Sequence, residues 1–449
     1  NVPRGAASLN LCWLLDSDLK RPNPKQSFES ALVEMGVGSV RFPYGFLANN
    51  YLWHTPPYDD VEGGLRPKVA TMKVTPGNWQ WAVNPDGSFT SAMDFDEYMA
   101  LCKRTGIKPL VVVNSMSHKM EGGCTLETLV TSAAEWVRYA LKKGYEVAYW
   151  QIGNEMDHHP KDITLEEYIE AYVAIASAMK EVDPDAYIGP GILGRAIYFT
   201  ELFAVAPELV DFTSCHQYLW SFIDDCKDYE LWSKYDGAYI RNVTNMQTAV
   251  SKSSKPDMEI LITETGVSPA KQGMGNVNNT YKALWWFELL MSQLSVKNVS
   301  YSYNWGTHSP WGGAVDNDNM DVDVLLRIDD NSRKPTGEVV RFVNQYIGKE
   351  FVESRCDDSR LRVYAMSDDG GEGGVIYVMN KSTQRIDTSV ALDGLPAKVS
   401  RLRCATLMGK RPDSRSLNYG KESVVRVSDE EGARCSVRVE PLSITTLRY

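Results

Sequence analysis

Three consecutive segments decide the fold class: KPLVVV at residues 108–113, TLVTSAAEWVRYALKKG at 128–144 and VAYWQI at 147–152. The first and third are short apolar runs rich in β-branched or aromatic residues, as in buried strands. The middle segment repeats its apolar residues at helical spacing and ends at a glycine, as helices commonly do. A strand, a helix and a second strand in this order predict an α/β architecture with parallel strands.

The same alternation extends over the first three quarters of the chain. Further strand-like runs lie at residues 9–13, 39–42, 186–189, 212–215, 259–263 and 299–303, with helical patterns between them. Eight strands alternating with helices over roughly 340 residues predict a (β/α)8 barrel with insertions. A doubly wound sheet would also alternate, but no glycine-rich phosphate loop follows any of these runs.

The pattern changes after Tyr346. Short strand-like segments such as LRVYAMS, GGVIYVMNKS and SRLRCATLMG follow one another, separated by turn-forming clusters such as DDGGEGG and DGLP. Regular short strands with turn signals predict an all-β sandwich. We therefore predict a catalytic barrel over residues 1–347 and a C-terminal β-sandwich domain over 348–449.

Composition and charge exclude several classes of partner. The 449 residues carry 58 acidic against 47 basic side chains, a net charge of -11, which disfavours nucleic acid. No apolar run approaches the ~20 residues that span a bilayer, so membrane insertion is not expected. The eight cysteines form no CxxC pair, and we expect neither a metal site nor a cofactor. We further expect a monomer that is secreted, periplasmic or on the cell surface.

Two glutamates follow predicted strands at the functional end of the barrel. Strand four runs into WQIGNEM, which places Glu155 after it, and strand seven ends ITETG, which contains Glu264. The active sites of such barrels lie at the C-terminal ends of the strands. Cleavage of a glycosidic bond needs two carboxyl groups, one to protonate the leaving oxygen and one facing the anomeric carbon. Glu155 and Glu264 are therefore the predicted catalytic pair, and solvated strand ends are the plain alternative.

These motifs resemble those of the large clan of retaining glycoside hydrolases built on (β/α)8 barrels. The resemblance implies that Glu155 is the acid/base, that Glu264 is the nucleophile and that Asn154 holds a sugar hydroxyl. A poly- or oligosaccharide is then the substrate. A non-catalytic carbohydrate-binding barrel is the alternative from another functional class.

Other positions of the clan are filled as well. Arg41 in VRFP matches an arginine that supports the nucleophile, and Tyr218 in SCHQY matches a tyrosine that hydrogen-bonds it. His216 precedes that tyrosine by two residues, and Trp305 in SYNWG stands where an aromatic floors the central subsite. Arg41 and the Tyr218 hydroxyl would favour the charged form of Glu264.

A metallohydrolase is the rival chemistry. Asp157, His158 and His159 directly follow Glu155. Adjacent histidines on a loop point in divergent directions, which suits chelation poorly, so no catalytic metal is predicted. The acidic stretch DNDNMDVD at 316–323 is interpreted as a solvated loop rather than a calcium site.

A narrower resemblance comes from LNLCWLLDSDLKRP at 9–22, GSVRFPYG at 38–45 and NNYLWHTPPYDD at 49–60. These segments are similar to the β-agarase and β-porphyranase family, which pairs a barrel with a β-sandwich. The resemblance implies an endo-acting enzyme that cleaves β-linkages in an agar-type galactan, with Trp53 and Trp311 stacking on sugars. The chain departs from related barrels at Tyr44, where a glycine often stands. An exo-acting α-L-arabinofuranosidase or β-xylosidase of the same clan is the alternative.

Overall fold

The computed structural model describes residues 1–12, 16, 18, 21, 24–71, 84, 86–89, 93–158, 161–219, 228–235, 239–267, 277–308, 324–396, 399–428 and 433–449. Every structural statement below refers to these parts of the chain.

Eight strands form one parallel sheet. They are β1 (Ala7–Asn10), β2 (Ser39–Phe42), β3 (Lys108–Val113), β4 (Tyr149–Ile152), β5 (Ile188–Pro190), β6 (Phe212–Tyr218), β7 (Glu259–Gly266) and β8 (Val299–Asn304). Hydrogen-bonded neighbours run in the order β5-β4-β3-β2-β1-β8-β7-β6. The strands at the two ends of this order also meet, because Asp211 N donates to Ile188 O at 2.8 Å and Ser214 Oγ to Pro190 O at 2.6 Å.

Helices connect the strands and surround the sheet. They are α1 (Phe28–Met35), α2 (Phe95–Thr105), α3 (Leu126–Lys143), α4 (Leu165–Val182), α5 (Ala196–Val205), α6 (Tyr229–Lys234), α7 (Arg241–Ser251), α8 (Thr280–Leu294) and α9 (Pro335–Tyr346). Capping boxes begin α2 at Asp94 and α4 at Thr164, where each cap side chain bonds the third helical N–H. The closed arrangement confirms the predicted (β/α)8 barrel, and all eight predicted strand positions are occupied.

Aromatic and aliphatic side chains fill the interior of the barrel. Leu110, Val112, Phe212, Leu261 and Tyr303 belong to one buried cluster contributed by different strands. Barrels of this type are packed cores rather than pores, so reactive side chains gather where the strands end.

A β-domain follows the barrel. Its strands are β9 (Glu350–Val352), β10 (Leu361–Ser367), β11 (Gly374–Asn380), β12 (Ile386–Ala391), β13 (Arg401–Gly409), β14 (Leu417–Tyr419), β15 (Ser423–Arg426), β16 (Arg434–Val439) and β17 (Ser443–Arg448). One antiparallel sheet has the order β9-β10-β11-β17-β13-β14, with β15 also paired to β13, and β12 pairs with β16 in a second sheet. The C-terminal β-domain predicted from the sequence is thereby confirmed, while the boundary at 347/348 stays a prediction.

No helix among the described residues combines the length and apolar composition needed to cross a bilayer.

A buried ionic cluster joins the barrel to the β-domain. The Glu288 carboxylate on α8 accepts hydrogen bonds from Arg362 Nε at 2.7 Å, Trp232 Nε1 at 3.2 Å and Lys381 Nζ at 3.4 Å. The side chains of Glu288 and Lys381 are 3% and 0% exposed. Because a buried charge is tolerated only when it is paired, this cluster constrains how the two domains pack.

Glu288→Ala should strongly destabilise the protein. The substitution leaves the Lys381 ammonium buried without its carboxylate, a situation that typically costs about 3–5 kcal/mol of unfolding free energy. Denaturation by urea measures this loss, and Glu372→Ala, at an exposed glutamate of the β-domain, is the control. Adding Lys381→Met to Glu288→Ala should restore part of the stability. A loss from Glu288→Ala no larger than that of the control would contradict this role.

Candidate active site

The two predicted catalytic glutamates face each other at the mouth of the barrel. Glu264 lies near the end of β7 with 2% of its surface exposed, and Glu155 lies three residues after β4. An oxygen of each carboxylate lies within 4.8 Å of the other. Retaining glycosidases hold their carboxyl groups about 5–5.5 Å apart, and inverting ones about 6.5–9.5 Å apart. The two carboxylates are therefore close neighbours, with oxygen atoms no more than 4.8 Å apart.

Arg41 on β2 connects Glu264 to three other strands. Its fully buried guanidinium donates to Glu264 Oε1 at 2.9 Å and to Asn10 Oδ1 at 2.7 Å. It also donates to Asn154 Oδ1 at 2.6 Å and to Gln151 Oε1 at 3.2 Å. Every partner is an oxygen acceptor, as a buried guanidinium requires. Arg41 thus holds the nucleophile candidate through an ion pair that is almost completely buried.

Asn154 is held at both its backbone and its side chain. Asn49 pairs with the Asn154 peptide, accepting from its N–H at 3.1 Å and donating to its carbonyl at 2.9 Å. Arg41 uses the Asn154 side-chain oxygen, while the side-chain nitrogen is buried with no hydrogen-bond partner among the described residues. A buried N–H group in this state is suited to donate a hydrogen bond to a hydroxyl oxygen of a ligand.

His216 and Tyr218, both on β6, bind the two carboxylates. Tyr218 donates its hydroxyl to Glu264 Oε2 at 2.9 Å. His216 Nδ1 lies 2.8 Å from Glu155 Oε1 and 3.5 Å from Glu264 Oε2, and its Nε2 lies 3.1 Å from Thr263 Oγ1. The imidazole therefore stands between the acid/base candidate and the nucleophile candidate.

Burial dominates the protonation of this cluster. It raises the pKa of Glu264 above its ordinary value, and the negative Glu155 adds to the rise; His216, when protonated, and the positive charge of Arg41 oppose it. Burial also lowers the pKa of His216 to about 4, so its imidazole is neutral at pH 7. The sequence-based expectation that Arg41 and Tyr218 favour the charged form is correct for Arg41 as a local effect, but desolvation outweighs it.

The backbone of Glu155 is strained. Its φ is 52°, a left-handed value that non-glycine residues adopt rarely. Such conformations concentrate at functional sites, where the surrounding structure enforces them. The backbone N–H of the next residue, Met156, donates to Gly191 O at 3.1 Å, which ties this turn to the end of β5.

The aromatic predictions have mixed outcomes. Trp305 follows β8, is partly exposed, and lies edge-on to Tyr218 with ring centroids 6.4 Å apart. Trp53 is 1% exposed, stacks on Trp136 at 5.7 Å and donates its indole N–H to Ser132 O at 2.9 Å. The structure therefore corrects the expectation that Trp53 stacks on a sugar, because its ring is buried among other aromatic side chains and its indole N–H is used within the protein. Trp311 lies outside the described residues.

The residues considered as candidate metal ligands in the sequence are the loop residues after Glu155 and the acidic stretch at 316–323. Asp157 accepts from the backbone N–H groups of Leu193, Gly194 and Arg195 at 2.6, 2.9 and 2.7 Å, so it organises the loop after β5. His158 is exposed, and His159 and the acidic stretch at 316–323 lie outside the described residues.

One set of three groups at the centre of the site has the composition of a metal site. Glu155, His216 and Glu264 bring carboxylate oxygens and an imidazole nitrogen within 4.8 Å of one another. The same groups take part in hydrogen bonds within the protein, since Arg41 donates to Glu264 Oε1, Tyr218 donates to Glu264 Oε2, and His216 Nδ1 lies 2.8 Å from Glu155 Oε1. The side chains around the two carboxylates thus already bind them within the protein.

Several residues that build the site were not predicted. Asn10, Asn49, Gln151 and Thr263 are all buried and all bind a predicted residue. Three of them are polar residues inside or directly beside apolar strand runs, and this contrast is the signal that would have identified them. Asn49 lies on a short 3-10 turn, Phe46–Asn50, and no pattern in the sequence marked it.

Part of the sequence is similar to known proteins. Residues 31–237 match the model of the α-L-arabinofuranosidase 1 domain. An intracellular exo-α-(1→5)-L-arabinofuranosidase of Acetivibrio thermocellus is 23% identical over 251 residues, covering 52% of this chain and 47% of that protein. An enzyme of the same name from Streptomyces lividans is 25% identical over 201 residues, which cover 41% of this chain and 28% of the Streptomyces protein. The chain thus spans less than half the length of either curated relative.

The whole chain superposes on solved structures. An α-L-arabinofuranosidase from Thermotoga maritima, in complex with arabinose, aligns with a TM-score of 0.69 and 15% identity, covering 100% of this chain and 96% of that one. The chain thus shares with this structure a (β/α)8 barrel followed by a C-terminal β-domain.

The prediction of an endo-acting agarase or porphyranase is wrong. The matched model and the curated relatives are arabinofuranosidases, the stated alternative. The segments behind that prediction contain Leu9, Asn10 and Arg41, which are buried and hold the barrel and the nucleophile candidate. Residues with that task carry no information on the polysaccharide. The expected secreted, periplasmic or cell-surface location is contradicted as well, since both relatives are named as intracellular enzymes.

Tyr218→Phe should move the acidic limb of the pH dependence of kcat/KM to higher pH. A nucleophilic carboxylate acts in its ionised form, and the lost hydroxyl donor stabilises that form of the candidate Glu264, so the pKa of Glu264 should rise further. A hydrogen bond worth about 1 kcal/mol corresponds to a shift of roughly 0.7 units. Tyr419→Phe, on the β-domain, is the control. A limb that stays in place or moves to lower pH would show that Tyr218 does not support Glu264.

Proposed function

We propose that this chain is a retaining exo-acting α-L-arabinofuranosidase that removes terminal arabinofuranosyl residues by double displacement. The observation that carries the proposal is the placement of the two glutamates, with carboxylate oxygens within 4.8 Å, Glu264 buried and held by Arg41 and Tyr218, and Glu155 more exposed. This asymmetry assigns the roles. The carboxylate fixed by two donors is suited to attack, and the more exposed one to exchange protons with the leaving group and water.

In the first step Glu264 attacks the anomeric carbon as Glu155 protonates the departing glycosidic oxygen. A bond forms between the Glu264 carboxylate and the sugar, and the bond to the leaving group breaks. The raised pKa of Glu264 makes its anion more basic than an exposed glutamate. Arg41 and Tyr218 keep the carboxylate oriented, so little reorganisation precedes the attack.

In the second step Glu155 takes a proton from water, which attacks the same carbon and releases Glu264. The neutral imidazole of His216 serves both states of Glu155, because Nδ1 accepts from the carboxylic acid and, in the other tautomer, donates to the carboxylate. The Thr263 hydroxyl at Nε2 either accepts or donates, so it satisfies either tautomer. Only a neutral imidazole can alternate in this way.

Substrate binding uses the groups left over from this network. The buried side-chain nitrogen of Asn154 is placed to donate to a sugar hydroxyl beside the reacting carbon. The partly exposed Trp305 ring offers an apolar face for the sugar ring. Similarity to exo-α-(1→5)-L-arabinofuranosidases supports terminal arabinofuranosyl residues of an arabinan or its oligosaccharides as the substrate.

A polysaccharide panel tests the substrate. Linear α-1,5-arabinan and its oligosaccharides should release arabinose alone from the start of the reaction, because an exo-acting site removes one terminal residue at a time. Agarose, porphyran and aryl β-xylosides should give no product above that of the Glu264→Gln variant. Product analysis by anion-exchange chromatography distinguishes these results. A ladder of longer products from the first minutes, or xylose release alone, would refute the proposal.

Separate substitutions test the two glutamates. Glu264→Gln removes the nucleophile while keeping its shape, and kcat should fall by at least about 10³-fold on every substrate. Glu155→Ala should retain turnover of an aryl glycoside with a good leaving group, and azide should accelerate it and yield the glycosyl azide.

The control for both variants is Glu146→Gln, an exposed residue before β4, which should keep the activity of the unchanged protein. Nuclear magnetic resonance of the first-formed sugar supplies the stereochemistry. An inverted product, or arabinan hydrolysis by Glu155→Ala at the unchanged rate, would overturn the assignment of roles.

A further inference from the structure

Tyr44 occupies a backbone conformation that does not suit it. Its φ is 144°, in the region that residues with a Cβ rarely adopt. A glycine would take this conformation without steric conflict. Such strain persists only where the surrounding structure enforces it, and it is common where a side chain has a functional task.

The side chain of Tyr44 is buried at the edge of the active site. Tyr44 is 1% exposed, and its ring centroid lies 4.5 Å from that of Trp305, at an interplanar angle of 45°. Its hydroxyl reaches the loop after β8, since a Cβ added to Gly306 would lie 3.0 Å from it. Tyr44 therefore packs against Trp305 and limits where that ring can stand.

The adjoining residue brings the same segment to the nucleophile candidate. A Cβ added to Gly45 would lie 2.6 Å from Glu264 Oε1 and 2.8 Å from Trp305 Cζ3. The backbone at Gly45 thus touches both the carboxylate and the tryptophan. Trp305 is also in edge-on contact with Tyr218, which binds Glu264. The position of Trp305 consequently sets the room available to the sugar that Glu264 attacks.

We propose that Tyr44 is a specificity-determining residue that restricts this subsite to a pentofuranosyl unit and excludes its homologue with one further hydroxymethyl group. The inference rests on the proposed function. Because Tyr44 packs against the Trp305 indole, the indole cannot move away from the bound sugar, and the subsite has no room for a larger one. A glycine at this position would leave that space empty and allow the indole to move back.

The matched probes are 4-nitrophenyl α-L-arabinofuranoside and 4-nitrophenyl β-D-galactofuranoside. Their rings share the same stereochemistry, and the second carries one additional carbon with its hydroxyl on the exocyclic chain. Both are measured on the same preparation of each variant, so the ratio of the two kcat/KM values is independent of the fraction of folded protein.

Tyr44→Gly should shift the ratio of kcat/KM at least about tenfold towards the galactofuranoside, which is the effect of admitting one methylene-sized group to an apolar pocket. Tyr44→Phe, which keeps the ring and removes only the hydroxyl, should leave the ratio within about twofold. Trp305→Leu, with Tyr44 in place, should move the ratio in the same direction as Tyr44→Gly, and it supplies the test if Tyr44→Gly does not fold.

The outcomes separate this inference from the proposed function. If Tyr44 acts only in stability, both kcat/KM values fall together and the ratio stays constant, which overturns the specificity role. An unchanged ratio in both Tyr44→Gly and Trp305→Leu does the same. If the unmodified protein hydrolyses neither furanoside, the proposed function fails and this inference falls with it.

Discussion

A single buried cation organises the mouth of the barrel. The guanidinium of Arg41 is removed from water, and the several kcal/mol that this costs must be offset by nearby charge and oxygen acceptors. Glu264 supplies the charge, and Asn10, Gln151 and Asn154 supply the oxygens. These partners come from β1, β4 and β7, so one side chain fixes the ends of three other strands.

The same interaction explains the state of the nucleophile candidate. Glu264 is buried next to Arg41, and this burial raises its pKa. The positive charge of Arg41 opposes that rise without cancelling it. A fully exposed carboxylate would be less basic, whereas the pKa of one buried without Arg41 would be raised further. The balance between desolvation and a paired charge therefore places Glu264 between these two extremes.

Much of this arrangement could be read from the sequence, because strand periodicity reports which residues end at the same rim. The eight apolar runs placed Glu155 and Glu264 at that rim, whereas Arg41 and Tyr218 were assigned from the resemblance of VRFP and SCHQY to motifs of the clan. Trp53 could not be placed, because an aromatic residue after a strand has the same local pattern whether it packs under a loop or lines a cleft. Its burial depends on α3, more than 70 residues away in the chain.

The substrate was mispredicted for a related reason. The residues that hold the two carboxylates face inward and serve the shared chemistry, so any enzyme with this mechanism needs them whatever sugar it accepts. The features that distinguish substrates lie one layer further out, where loops meet the site. Tyr44 belongs to that layer: its strained backbone and its contact with Trp305 are invisible in a strand pattern, and they depend on the loops after β2 and β8 meeting in space. Catalytic chemistry is thus encoded in periodic, local signals, whereas selectivity is encoded in contacts between loops that only the folded chain brings together.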